Sequence, residues 1–110
     1  MDIEMDLDLG DGHQLAFTRW VPDRDLNPQY ADLPDVERIG AIVSHKRADG
    51  KDGECWSGIM FESEVARRAF QEKSMWRVES WEPLTLSPSL LCRECGDHGF
   101  IREGRWVRCP

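Results

Sequence analysis

The segment Cys92-Arg93-Glu94-Cys95-Gly96-Asp97-His98-Gly99 restricts the fold of this chain more than any other feature. Two thiols three residues apart, followed by a glycine, form the tight turn of a zinc knuckle, in which neighbouring backbone amides point at thiolate sulfur. The order is C-x2-C-x2-H, so one short stretch offers three ligands and a structural zinc site needs a fourth from elsewhere. The remaining cysteines are Cys55 and Cys109. An even cysteine count suggests disulfides in a secreted mini-protein, but this chain opens Met1-Asp2-Ile3-Glu4 rather than with a basic leader, which favours metal. The expected site is Zn2+ held by Cys55, Cys92, Cys95 and His98, with Cys109 and His45 as alternative fourth ligands and His13 as a further source of nitrogen. The competing reading is a reduced, metal-free set of small apolar side chains.

At 110 residues and 12.7 kDa the chain has room for one core and reads as a single domain, 1–110. An acidic β-hairpin part spans about 1–45 and a zinc-stapled part about 55–109. With 40% apolar residues it is too apolar for wholesale disorder, and no apolar run reaches the roughly 18 residues that cross a bilayer. A soluble, intracellular protein with no membrane partner is expected. The net charge of −7 lies wholly in residues 1–55, which hold 13 acids and 6 bases, against 8 of each in 56–110. Such a field repels phosphate backbones and disfavours nucleic-acid binding through bulk charge.

The acids Asp2, Glu4, Asp6, Asp8 and Asp11 nearly alternate with Ile3, Met5, Leu7 and Leu9, the period of a strand with one wet face. A hairpin is expected from Leu7 to Val21 around Gly10-Asp11-Gly12, followed by a proline-punctuated connection, 22–34, that Tyr30 pins to the body. Strands over 38–45 and 55–61 form a second hairpin, Ser63 caps a helix from Glu64 to about Glu72, and strands follow over 75–81, 84–87 and 100–108. The fold class is β-rich α+β: small antiparallel hairpins, one short helix and a C-terminal zinc-knuckle, ribbon-like module.

The stretch from Pro83-Leu84-Thr85-Leu86-Ser87-Pro88-Ser89 through Cys92, Cys95 and His98 to Gly104-Arg105-Trp106 resembles the ending of short proteins encoded by tailed phages of actinobacteria. It is also similar, more distantly, to a cysteine-rich bacterial and viral domain of unknown function. That resemblance implies Cys55 as a ligand, matches Cys95 and His98 to a C-x2-H element, and implies a phage-encoded protein in the host cytoplasm, with the virion as the other location.

The residues themselves suggest no enzyme. Ser87 and Ser89 lack the glycines of a nucleophile elbow, and a His98 spent on zinc is not free to act as a base. The expectation is a protein-interaction module for a host or phage partner, with Trp20, Trp56 and Trp81 as candidate anchors. The alternative is nucleic-acid binding through Arg93, Arg102, Arg105 and Arg108 beside Phe100 and Trp106, weakened by Glu94, Asp97 and Glu103.

Overall fold

A computed structural model describes residues 4–71 and 74–110. Its main sheet is antiparallel in the order β1-β2-β3-β4, built from β1 (Leu7–Gly10), β2 (His13–Trp20), β3 (Val36–Lys46) and β4 (Glu54–Met60). The first hairpin turns at Asp11 and Gly12, whose φ values of 50° and 75° are both left-handed, the geometry that matches the twist of the flanking strands. The charge alternation resolves as expected where it is described: Leu9 is buried while Asp6 and Asp8 are exposed; Asp2 and Ile3 lie outside the described residues.

The connection after β2 contains one 3-10 turn, Pro28–Tyr30. Tyr30 does pin it, with its ring 5.6 Å edge-on from Trp20. Helix α1 (Glu64–Ala69) is capped by the Ser63 hydroxyl, which accepts from the Ala66 amide at 3.0 Å. The helix ends earlier than expected, because Phe70 turns extended and packs its ring 5.7 Å from Trp20; Glu72 lies outside the described residues.

Two smaller sheets complete the molecule. β5 (Arg77–Trp81) pairs with β6 (Leu84–Ser87), and β7 (Leu90–Leu91), β8 (His98–Arg102) and β9 (Arg105–Arg108) form a sheet in that order. β7 was not expected: its two residues carry too little pattern to show in sequence, and the knuckle that follows supplies their pairing to β8. The fold is the β-rich, antiparallel arrangement with one short helix that the patterning implied.

Register explains where the core stops and the site begins. On one face of the main sheet Leu15, Val43 and Ser57 form one cross-strand row, and Phe17, Ala41 and Ile59 the next. This face packs on Leu84, Leu86, Leu90, Ile101 and Trp106 in one apolar cluster. One step further toward the β1–β2 turn, the same face carries His13, His45 and Cys55 side by side. An apolar face thus ends in a polar row of imidazoles and a thiol, side chains able to bind a metal, and the knuckle closes over that row. Among the described residues no helix is long and apolar enough to cross a membrane.

Candidate metal centre and active site

His45, Cys55, Cys92 and Cys95 bring four ligand atoms within 4.8 Å of one another, three of the residues buried and Cys92 half-buried. β3 and β4 supply the first two as direct cross-strand neighbours; the chain leaving β7 and the knuckle turn supply the others. The turn closes through Gly96, whose amide donates to the Cys92 carbonyl at 2.8 Å with a left-handed φ of 84°. Cys92 N–H donates to the Asp97 carbonyl at 2.7 Å, tying the two arms together.

The electrostatics of the group suit a cation. Burial opposes the Cys95 thiolate, but backbone amides of Ala48 and Asp97, with His45 and Cys92, outweigh it and bring the thiol down to about 6. Cys55 goes the other way, raised to about 12 by burial and by the adjacent Cys95 and Cys92. Three thiols this close cannot all ionise without a positive charge among them, and Arg47, with Nη1 3.7 Å from Cys55 Sγ, is already held by Asp49 at 2.7 Å. Three sulfurs and an imidazole are a donor set that fits a tetrahedral metal.

A second buried network braces the first. His13 Nε2 lies 2.7 Å from Asp97 Oδ2, and its Nδ1 lies 2.7 Å from the Asp11 carbonyl, so both ring nitrogens face acceptors. The imidazole is stacked between Trp106, at 4.0 Å, and His45, at 5.3 Å. Asp97 Oδ2 also lies 3.8 Å from His45 Nε2, the ring nitrogen that faces Cys95 Sγ at 3.4 Å, so the carboxylate borders the thiol group on the same side of the imidazole.

The structure changes the fourth member of the expected ligand set. His98 is not in the cluster; its Nε2 lies 2.8 Å from Ser89 Oγ. Strand alternation is the cause. Leu91 pairs with His98, and Leu90 is buried, so Ser89, Leu91 and His98 share the outer face of the β7–β9 sheet while Leu90 and Gly99 face inward. The knuckle turns its cysteines inward and leaves its histidine outside. His45, the alternative ligand, takes the place given to His98. Cys109, the other alternative, is outside the group, half-buried, with its amide donating to the His98 carbonyl at 3.0 Å.

A histidine released from metal is available as a base, and the serine beside it is the residue that sequence reasoning set aside. The signal for this contact is the near-symmetric spacing of Ser89 and His98 about the knuckle, which folds into a hairpin and sets them diagonally across two strands. Asp97, next to His98 in sequence, points inward to His13. Among the described residues no acidic side chain pairs with His98.

The proposed binding residues separate. Trp56 and Trp81 are 53% and 45% exposed, whereas Trp20 is half-buried between Tyr30 and Phe70. Arg102 and Arg105 are exposed on the β8–β9 hairpin, with the Arg102 guanidinium 4.0 Å from the Phe100 ring centre. Trp106 is buried, so it offers no stacking face.

Comparison with known proteins changes the reading of function. No curated protein matches the chain, and no solved structure does. A family model does match, over residues 40–109: BubE, the bacterial ubiquitination-like system serine protease. This overturns the expectation that the protein is not an enzyme, because the family is one of serine proteases. The family is bacterial, and no phage family was matched, so the phage origin implied by the resemblance is unsupported. The match takes in all four clustered ligands together with Ser89 and His98, and since it extends over more than half its length, the chain belongs to the BubE family.

Proposed function

We propose that the protein is a zinc-stapled serine protease of a bacterial ubiquitination-like system, with Ser89 as nucleophile and His98 as general base. The observation that carries the reading is the 2.8 Å approach of His98 Nε2 to Ser89 Oγ, which lies within the reach needed for proton transfer. Membership of a serine-protease family supports it, as does the position of both residues on an accessible sheet face.

In this mechanism His98 Nδ1 carries the ring proton and Nε2 accepts from Ser89. As Oγ attacks the scissile carbonyl carbon, its proton passes to Nε2, and the carbonyl π electrons move onto oxygen. Collapse of the tetrahedral adduct expels the amine, which takes the proton from His98 and leaves an acyl ester on Ser89. A water molecule then gives its proton to Nε2, attacks the ester and releases the acid, with Oγ regaining the proton. The pair works as a dyad, since the neighbouring carboxylate, Asp97, is committed to His13 at 2.7 Å.

Zinc fits the three thiols and one imidazole, and in that site it would supply rigidity, since four protein donors leave no open position. The clamp holds β7, and therefore Ser89, against the end of the main sheet.

A fluorophosphonate probe, which labels activated serines, tests the reading. The expected result is one adduct on the peptide containing Ser89, absent in Ser89→Ala and in His98→Gln. Labelling at another serine, or none in the metal-loaded protein, overturns it.

A further inference from the structure

β4 and β7 are edge strands of their sheets, and both turn unused peptide groups toward the space between them. In an antiparallel pair, residues that bond to the partner alternate with residues whose N–H and C=O face the other way. Phe61 N–H donates to the Ile39 carbonyl at 3.0 Å, which places Ile59 and Ser57 among the residues bonded to β3 and turns the peptide groups of Gly58 and Trp56 outward. Met60, of the same parity, has its carbonyl on that outer edge, where it accepts from the Trp76 amide at 2.8 Å. On the facing wall the Cys92–Asp97 bond makes Leu91–His98 the non-bonded pair, so the peptide groups of Leu91 point away from β8. The Ser89 carbonyl, of the same parity, accepts there from Trp76 Nε1 at 3.3 Å.

Between these walls lies a cavity of about 300 Å³, lined by Ser57, Gly58, Ile59, Trp76, Leu90 and Leu91 and floored by Val43 and Trp106. Trp76 closes one end. The metal cluster closes the other, since Cys55 belongs to β4 and Cys92 follows β7. The ionisable groups bordering the cavity are engaged elsewhere, Asp97 with His13, His45 with Cys95, and Cys92 within the thiol cluster.

We propose that this groove takes the protein substrate as an added extended β-strand, and that the cavity receives one large apolar side chain of that strand close to the bond attacked by Ser89. Unpaired peptide groups on both walls are satisfied by another peptide backbone, and an apolar floor of this size suits a leucine-like side chain. Ser89 stands one residue before β7, and its carbonyl accepts from Trp76, which lines the cavity, so its backbone borders the groove at that end. The inference rests on the serine-protease reading for its substrate, but the groove can be tested without turnover.

The probes are fluorescent eight-residue glycine peptides carrying one leucine at successive positions, measured by anisotropy on metal-loaded Ser89→Ala protein. One leucine register binds roughly ten-fold or more tighter than the all-glycine peptide. N-methylation at alternate residues of that peptide weakens it about ten-fold while the intervening positions tolerate the change, the signature of strand pairing. Adding Ser57→Phe, which fills the cavity, removes the leucine preference, with metal content reporting that the fold survives. Equal binding of all registers, or indifference to N-methylation, overturns the groove. Fluorophosphonate labelling of the parent protein reads the nucleophile separately: register-specific binding without labelling leaves the peptide site standing and removes the protease reading.

Discussion

The two faces of the β7–β9 sheet are made by the same dozen or so residues and do opposite things. Its inner face is locked: Leu90, Ile101 and Trp106 are buried in the core, and Gly99 meets the Trp106 indole so closely that an added Cβ would lie 2.6 Å from it. Its outer face is open: Leu91 is 55% and Val107 39% exposed, and Ser89 and His98 touch each other there. Alternation along a strand separates the two roles residue by residue, so the chemistry of the outer face can change without disturbing the packing beneath. The comparison teaches that core packing and the exposed Ser89–His98 pair are divided here by parity in the sequence rather than by distance along it.

The division can be attacked from each side. The largest effect is expected from the metal. Structural zinc sites contribute on the order of 10 kcal/mol to folding, as much as the whole stability of a small domain. Chelation, or Cys92→Ser, should therefore abolish cooperative thermal unfolding and, with it, labelling of Ser89. A chelated protein that melts like the parent would show that the inner face holds without its clamp.

On the outer face the expected losses are in activity alone. His98→Gln should lower the rate of Ser89 acylation by about 10²- to 10⁴-fold, the usual contribution of a general base, with an unchanged melting temperature and metal content. A parallel fall in stability would mean that the pair is a structural contact.

Next in size is the buried pair behind the cluster. His13→Ala strips Asp97 of its buried partner, and removing one member of such a pair costs about 3–5 kcal/mol. Denaturant unfolding checks this, and because the His13 ring stacks on that of His45 at 5.3 Å, metal affinity should fall with stability. Gly99→Ala should cost about 1–3 kcal/mol by overpacking against Trp106. Its acylation rate, in the folded protein, should change far less than that of His98→Gln. The smallest effect is Val107→Thr, an exposed outer-face change expected to shift stability by no more than about 0.5 kcal/mol.

Much of this is legible in the amino-acid sequence. Local pattern is enough for hairpins: the turn at Asp11-Gly12, the alternation of β3 and β4, and the Glu103-Gly104 turn joining β8 to β9 all depend on neighbours in sequence. The knuckle is legible for the same reason, since Cys92, Cys95 and Gly96 define a turn within five residues. Cys55 was harder, and resemblance to a cysteine-rich domain helped to place it.

What the sequence by itself determined, then, is the strands other than β7, the tight thiol turn and the donor chemistry, because each follows from residues close along the chain. Tertiary structure decided where each histidine lies. His45 reaches the thiols because register with Cys55 lays it in the row that the knuckle covers; His98, three residues beyond Cys95, lands on the opposite face of β8 and meets Ser89 instead. Spacing reports how near two side chains are along the backbone, whereas the side of a sheet on which each emerges depends on how separate strands pair, and only the folded chain settles that.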